Sequence, residues 1–139
     1  MDSSIIETLN IADSHAYTCK IWSYLVSHLQ LLIRSWKDDF LTGDTLYLLF
    51  TGVLYFDGPT IWQGADFRLG TPDECFKLLQ EKRSFEDNPE HRGVAEKIHL
   101  FKAETSRGVI RILAKNVSKS QEIPPDFFWL RKSDEQPSA

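Results

Sequence analysis

The sequence predicts an α+β fold: one domain, with a mostly antiparallel sheet of about five strands and two helices on one of its faces. Three observations carry this. Apolar residues alternate in steps of two over 46–56 and again over 61–69, the period of strands with one buried face. Asp57-Gly58 separates the two runs and suits the positive φ angles of a tight turn. Thr71-Pro72-Asp73-Glu74 then reads as a helix start. A β-sandwich or open barrel with one helix is the rival architecture. The domain is expected over 1–130, with 131–139 a disordered polar tail.

In chain order, Ile5, Ile6 and Leu9 have the spacing of a short helix, with an arm as the alternative. Asp13 or Ser14 can cap a helix over about 14–26, where Tyr17, Ile21, Leu25 and His28 recur every three or four residues. Tyr17, Cys19, Ile21 and Leu25 also alternate, which is the competing pattern. Leu29, Leu31 and Ile33 alternate with Gln30, Leu32 and Arg34, so 29–36 is expected as a strand. One helix over 14–36 is the rival there. Residues 37–44, rich in Asp, Thr and Gly, read as a loop.

If Phe56 and Pro59 flank the turn, one hairpin spans 45–69. Its apolar face pairs Leu54 with Ile61, Phe50 with Ala65, Leu48 with Phe67 and Leu46 with Leu69. Its other face pairs Tyr55 with Thr60, Val53 with Trp62, Leu49 with Asp66 and Tyr47 with Arg68. That face is aromatic, small and charged by turns. Tyr47, Val53, Tyr55, Trp62 and Arg68 are the expected binding residues, since aromatic and Arg anchors are enriched at interface hot spots. The competing account is that another part of the chain covers the face.

Thr71 is expected to cap a helix that turns Cys75, Phe76 and Leu79 inward, with Leu78 at the margin and Lys82 and Arg83 at its C-terminal end. Residues 84–95 read as a polar loop anchored by Phe85. A second hairpin is expected over 96–117. A three-residue loop, Ser106-Arg107-Gly108, sets Phe101 against Leu113 and Leu100 against Ala114. A two-residue loop would oppose Lys102 and Arg111, an unfavourable pair. Residues 118–126 read as a polar linker. Phe127, Phe128 and Trp129 then need a home, either on the domain itself or on a partner.

The chain has 139 residues, 42% hydrophobic and 12% aromatic, with a net charge of −4. This balance argues against nucleic acid and anionic membranes as partners. No basic, apolar leader precedes the first elements, and no apolar run approaches the roughly 20 residues of a membrane span. A small soluble cytoplasmic protein is therefore expected. Cys19 and Cys75 form no CxxC and pair with no histidine at zinc spacing, so no metal and no disulfide are expected. No HExxH, GxSxG, Walker or dinucleotide motif is present, and no cofactor is expected. Cys75 lies in a helix's first turn, but Asp73 and Glu74 oppose any lowering of its pKa. The first functional reading is a non-enzymatic binding or protein-interaction module, acting on a protein partner or on itself. The alternative is a small-ligand binder or enzyme with a pocket between sheet and helices. It requires His28, His99 or Asp66 to converge.

Overall fold

A computed structural model describes residues 3–39 and 43–122. The elements run α1 (Ser3–Leu9), a 3-10 turn (Ser14–Ala16), β1 (Tyr17–Leu25), β2 (Gln30–Lys37), β3 (Thr45–Thr51), β4 (Tyr55–Asp57), β5 (Ile61–Gln63) and β6 (Arg68–Leu69). Then come α2 (Pro72–Arg83), α3 (Pro89–Ala95), β7 (His99–Thr105), β8 (Gly108–Ala114) and β9 (Asn116–Ser120). The strands form two open antiparallel sheets, ordered β5-β1-β2-β3-β9 and β4-β8-β7-β6. The architecture is α+β and mostly antiparallel, as expected.

The main core lies between the two sheets, where one expected sheet would have met only helices. Leu31 and Ile33 of β2 and Leu46, Leu48 and Phe50 of β3 face Phe101, Ala103, Ile110, Ile112 and Ala114 of β7 and β8. Phe50 sits at its centre, with ring centroids 5.1 Å from Phe101 and 5.6 Å from Phe67. Burying one such side chain stabilises by about 1.5–3 kcal/mol, so this row of large residues holds the sheets face to face. Ile5 and Leu9 of α1 join the same core. Helix α2 packs Cys75, Leu78 and Leu79 on Leu100 and Leu113, which point to the opposite face of the four-stranded sheet.

The start of α2 is as expected. Thr71 Oγ1 accepts from the Glu74 amide at 3.1 Å, and Glu74 Oε1 accepts from the Thr71 amide at 2.9 Å. The helix buries Cys75, Phe76, Leu78 and Leu79. The strand expected over 29–36 forms as β2.

The expected helix over 14–26 is instead strand β1. The alternation of Tyr17 and Cys19 prevails over the helical spacing because β1 finds two partners, β2 along its length and β5 at Thr18–Lys20. A helix there would leave the inner edge of β2 unpaired.

The expected hairpin over 45–69 does not form. Strand β3 pairs with β2 and β9, β4 with β8, β5 with β1, and β6 with β7. The chain leaves one sheet for the other after Thr51: the Val53 amide donates to Leu29 O at 2.9 Å and the Leu54 amide to Leu113 O at 2.8 Å. Leu54 thus packs with the α2 cluster, while Ile61 lies on β5 opposite Lys20. The physical reason is burial. Between β2 and β9 both edges of β3 are hydrogen-bonded, and its residues Leu46–Phe50 are buried whichever face they point to, neither of which an isolated two-stranded ribbon provides. Gly58 has the expected positive φ, 126°, but a further cause is close approach: a Cβ there would lie 2.7 Å from Ile110 Cα.

Two smaller corrections follow the same logic. Residues 89–95 of the expected polar loop form α3, capped by Asn88, whose Oδ1 accepts from the His91 amide at 2.7 Å. It buries no residue, so it carries no apolar period to read. The start of the expected polar linker belongs to β9, which pairs with the outer edge of β3.

The second hairpin, β7–β8, forms with a register one step from the expected one. Thr105 faces Gly108 across Ser106-Arg107, Phe101 faces Ile112, Leu100 faces Leu113, and Lys102 faces Arg111.

Candidate functional site

The five residues expected to share one binding face are dispersed. Trp62 is 2% exposed and Val53 0%, both within the main core. Trp62 Nε1 donates to Gly64 O at 2.9 Å, and its ring meets Phe67 edge-on. Tyr55 is half-buried in the four-stranded sheet, where its hydroxyl donates to Asp57 Oδ2 at 2.5 Å. Arg68 is exposed and pairs with Glu104 at 3.1 Å. Its strand neighbour is Lys102, whereas Tyr47 faces Arg34 and Ser120. The pairs Val53–Trp62 and Tyr47–Arg68 therefore do not exist. Of the five, Tyr47 alone lies on the outer face of the five-stranded sheet, with Leu32 and Leu49.

The groups required by the pocket alternative do not converge. His28 lies in the β1–β2 turn beside Ser27 Oγ, 2.9 Å away. His99 is on β7 with its ring against Phe101. Asp66 accepts from the Ser14 hydroxyl. A cleft of about 600 Å³ between α2, α3 and the start of β7 takes in His99, Cys75, Phe76 and Arg92, but neither His28 nor Asp66. Within it Arg92 stacks on Phe76 at 4.0 Å and pairs with Asp87 at 2.8 Å. Burial pushes the Cys75 thiol up to about 11, and it donates to Ile98 O at 3.5 Å. A protonated thiol is a poor nucleophile, so this cleft does not assemble nucleophile and base.

The other thiol is equally inert. Burial raises Cys19 to about 11, against a lowering hydrogen bond from Ser35 Oγ at 3.2 Å. Both cysteines are free and belong to different apolar clusters. Among the described residues no group of three or more His, Cys, Asp or Glu is placed to hold a metal ion. No described helix is long and apolar enough to cross a membrane.

What the fold does assemble is a surface on the outer side of the five-stranded sheet. Since Leu31, Ile33, Leu46, Leu48 and Phe50 face the core, Leu32, Arg34, Trp36, Tyr47 and Leu49 face away from it. Register places Leu32 beside Leu49 and Arg34 beside Tyr47. On β1 the alternation of Lys20 and Trp22 against Cys19 and Ile21 puts Trp22 on this side, and the bulge that follows pairs Ser23 with Leu32. The Arg34 guanidinium lies 4.9 Å from the Trp22 ring centre and Lys20 Nζ 6.0 Å from it. Such stacking contributes about 0.5–1 kcal/mol at exposed sites and fixes the indole's orientation. Trp22 is 40% exposed, and the adjoining turn carries exposed Val26 and Leu29. This side is thus a buried apolar strip of Leu32, Leu49 and Tyr47 with an exposed aromatic border at Trp22, in a chain of negative net charge.

Sequence reasoning missed Trp22 because β1 was read as a helix, and missed Leu32 and Arg34 because β3 was paired with 61–69 and not with their strand. The signal was there: Thr18, Lys20 and Trp22 alternate against Tyr17, Cys19 and Ile21. The mixed face of β3, Tyr47 with Leu49, was read correctly as opposite to Leu46, Leu48 and Phe50.

No family model matches the chain, and none of the curated proteins or solved structures compared with it matches.

Proposed function

We propose that the protein is a non-enzymatic interaction module of a reducing, cytoplasmic compartment, and that it holds a peptide segment on the outer face of the five-stranded sheet. The reading is supported by one observation above all. The exposed Trp22 ring, stacked on Arg34, adjoins the exposed Val26 and Leu29 at the rim of that face, beside the buried Leu32, Leu49 and Tyr47. Trp, Tyr and Arg beside an apolar strip are the side-chain types that carry interface energy. The basic border favours a segment that combines aromatic or aliphatic residues with acidic ones. The dispersal of His28, His99 and Asp66 and the high pKa of both thiols speak for binding over catalysis.

The test is an array of short peptides probed with the full-length chain. Acidic–aromatic peptides should be retained over basic and scrambled ones, and Arg34→Glu should weaken retention by about tenfold or more, the scale of one lost charge-assisted contact. Equal retention of all peptide classes, or no effect of Arg34→Glu, would remove the proposal.

A further inference from the structure

We infer that Leu29, in the turn between β1 and β2, is a recognition residue: a leucine is held in a left-handed backbone position so that its side chain meets the bound segment beside Trp22. The inference rests on the reading that this side of the protein holds an acidic–aromatic peptide. It assigns the end of the site that takes the peptide's apolar side chains.

Leu25 and Gln30 are the last pair of the β1–β2 ladder, so Val26, Ser27, His28 and Leu29 form its turn. The His28 amide donates to Leu25 O at 3.1 Å. Leu29 O accepts from the Val53 amide at 2.9 Å, where the chain crosses between the sheets. In this turn Leu29 has φ 51°. There a Cβ crowds the following carbonyl, so glycine, asparagine and aspartate are the residues that adopt the conformation at low cost. Besides glycines, the other described residues with positive φ are Asp13, Asp38 and Ser84, each short and polar. Leu29 is the large apolar exception.

Packing does not account for the leucine. Leu29 is 39% exposed and belongs to none of the apolar clusters formed by the described residues. Its turn neighbour Val26 is 69% exposed. The backbone favours asparagine or glycine at this position, and exposure to water favours a polar residue. Two branched aliphatic side chains stand in the turn instead. A residue that breaks two local rules at once, with no gain within the fold, is accounted for by what it touches in a complex.

The charge around the turn selects the partner. Residues 14–37 carry no Asp or Glu, in a chain that has 20 of them, and they include Lys20 and Arg34. Both cations lie against the Trp22 ring, beside the turn. A segment that mixes carboxylates with aromatic or aliphatic side chains satisfies both parts. Its carboxylates meet Lys20 and Arg34, and its apolar groups meet Trp22, Val26 and Leu29. A basic segment meets like charge there.

The experiment compares the full-length wild type with Leu29→Asn and Leu29→Met, in urea unfolding and in retention of peptides built of Glu, Phe and Leu. Leu29→Asn relieves the backbone, so its urea midpoint should equal or exceed that of the wild type. Its peptide retention should fall about fivefold or more, the scale of one truncated anchor. Leu29→Met keeps a large apolar side chain and should keep retention. Unchanged retention by Leu29→Asn, or a midpoint below that of the wild type, overturns the inference. Sedimentation of the same proteins covers the other occupant. A wild-type dimer that Leu29→Asn dissociates, with peptide retention unchanged, assigns the turn to a second copy and likewise overturns it. Retention that depends on Arg34 but not on Leu29 removes this inference and leaves the recognition reading standing. No retention by the wild type removes both.

Discussion

Lys102 and Arg111 face each other directly across β7 and β8, two cations in one cross-strand pair. The pair is tolerated because each cation has its own carboxylate. Lys102 Nζ lies 2.7 Å from Glu74 Oε2 on α2, and Arg111 forms a paired contact with Asp57 on β4. This register also keeps Phe101, Ala103, Ile110 and Ile112 on the core side together. Asp57→Asn removes one carboxylate and leaves Arg111 opposed to Lys102, so stability should fall by about 1 kcal/mol or more. Urea midpoints of the two proteins check this, and an unchanged midpoint would mean that the pair needs no compensation.

Glu74 couples the same hairpin to the start of α2. The hydrogen bond from Lys102 first, and the Thr71 amide second, hold its carboxyl down at about 2 against an ordinary 4.5. The folded state therefore binds this proton less readily than the unfolded chain. The resulting stability is fully present above about pH 4.5 and is lost as pH falls toward about 2. Glu74→Gln should flatten the acid limb of the stability profile in that window, as measured by urea midpoints. A separate substitution, Thr71→Ala, should lower stability by about 0.5–2 kcal/mol through loss of the cap.

Trp62 is a core residue, and its substitution should report stability. Trp62→Ala should cost about 3–5 kcal/mol, the range for a buried large aromatic. The lost bond from Nε1 to Gly64 O adds to the cavity left against Phe67. A cost below about 1 kcal/mol would place the indole outside the core.

The thiols offer a chemical readout. With both pKa values raised to about 11, roughly one part in a thousand is thiolate at pH 8. Iodoacetamide should leave Cys19 and Cys75 unmodified in the native protein and label both in denaturant, as counted by mass spectrometry. Rapid native labelling of either would contradict its burial.

Local chemistry was legible wherever it is closed within a few residues. The capping box at Thr71 and Glu74 needs only the spacing of those two side chains. The positive φ of Gly58 and the alternation of β2 and β3 were legible for the same reason. So was the contrast between Leu48 and Tyr47 on opposite faces of one strand. What the tertiary structure decided was the choice of partner. Residues 45–69 look like a hairpin because two alternating runs flank Asp57-Gly58, yet each run finds more burial in another strand. The α3 helix stayed hidden because its ends are capped but its sides bury nothing. The Lys102–Arg111 register was dismissed because Glu74 and Asp57, distant in sequence, do not enter a two-strand reckoning. The outer surface of the five-stranded sheet depends on all of these choices at once. Trp22, Leu32, Arg34 and Tyr47 lie on three strands, and only the pairing of β1 with β2 and β2 with β3 makes them neighbours. Side-chain periodicity is a property of one segment, whereas strand partnership is settled by the total apolar area that the whole chain removes from water.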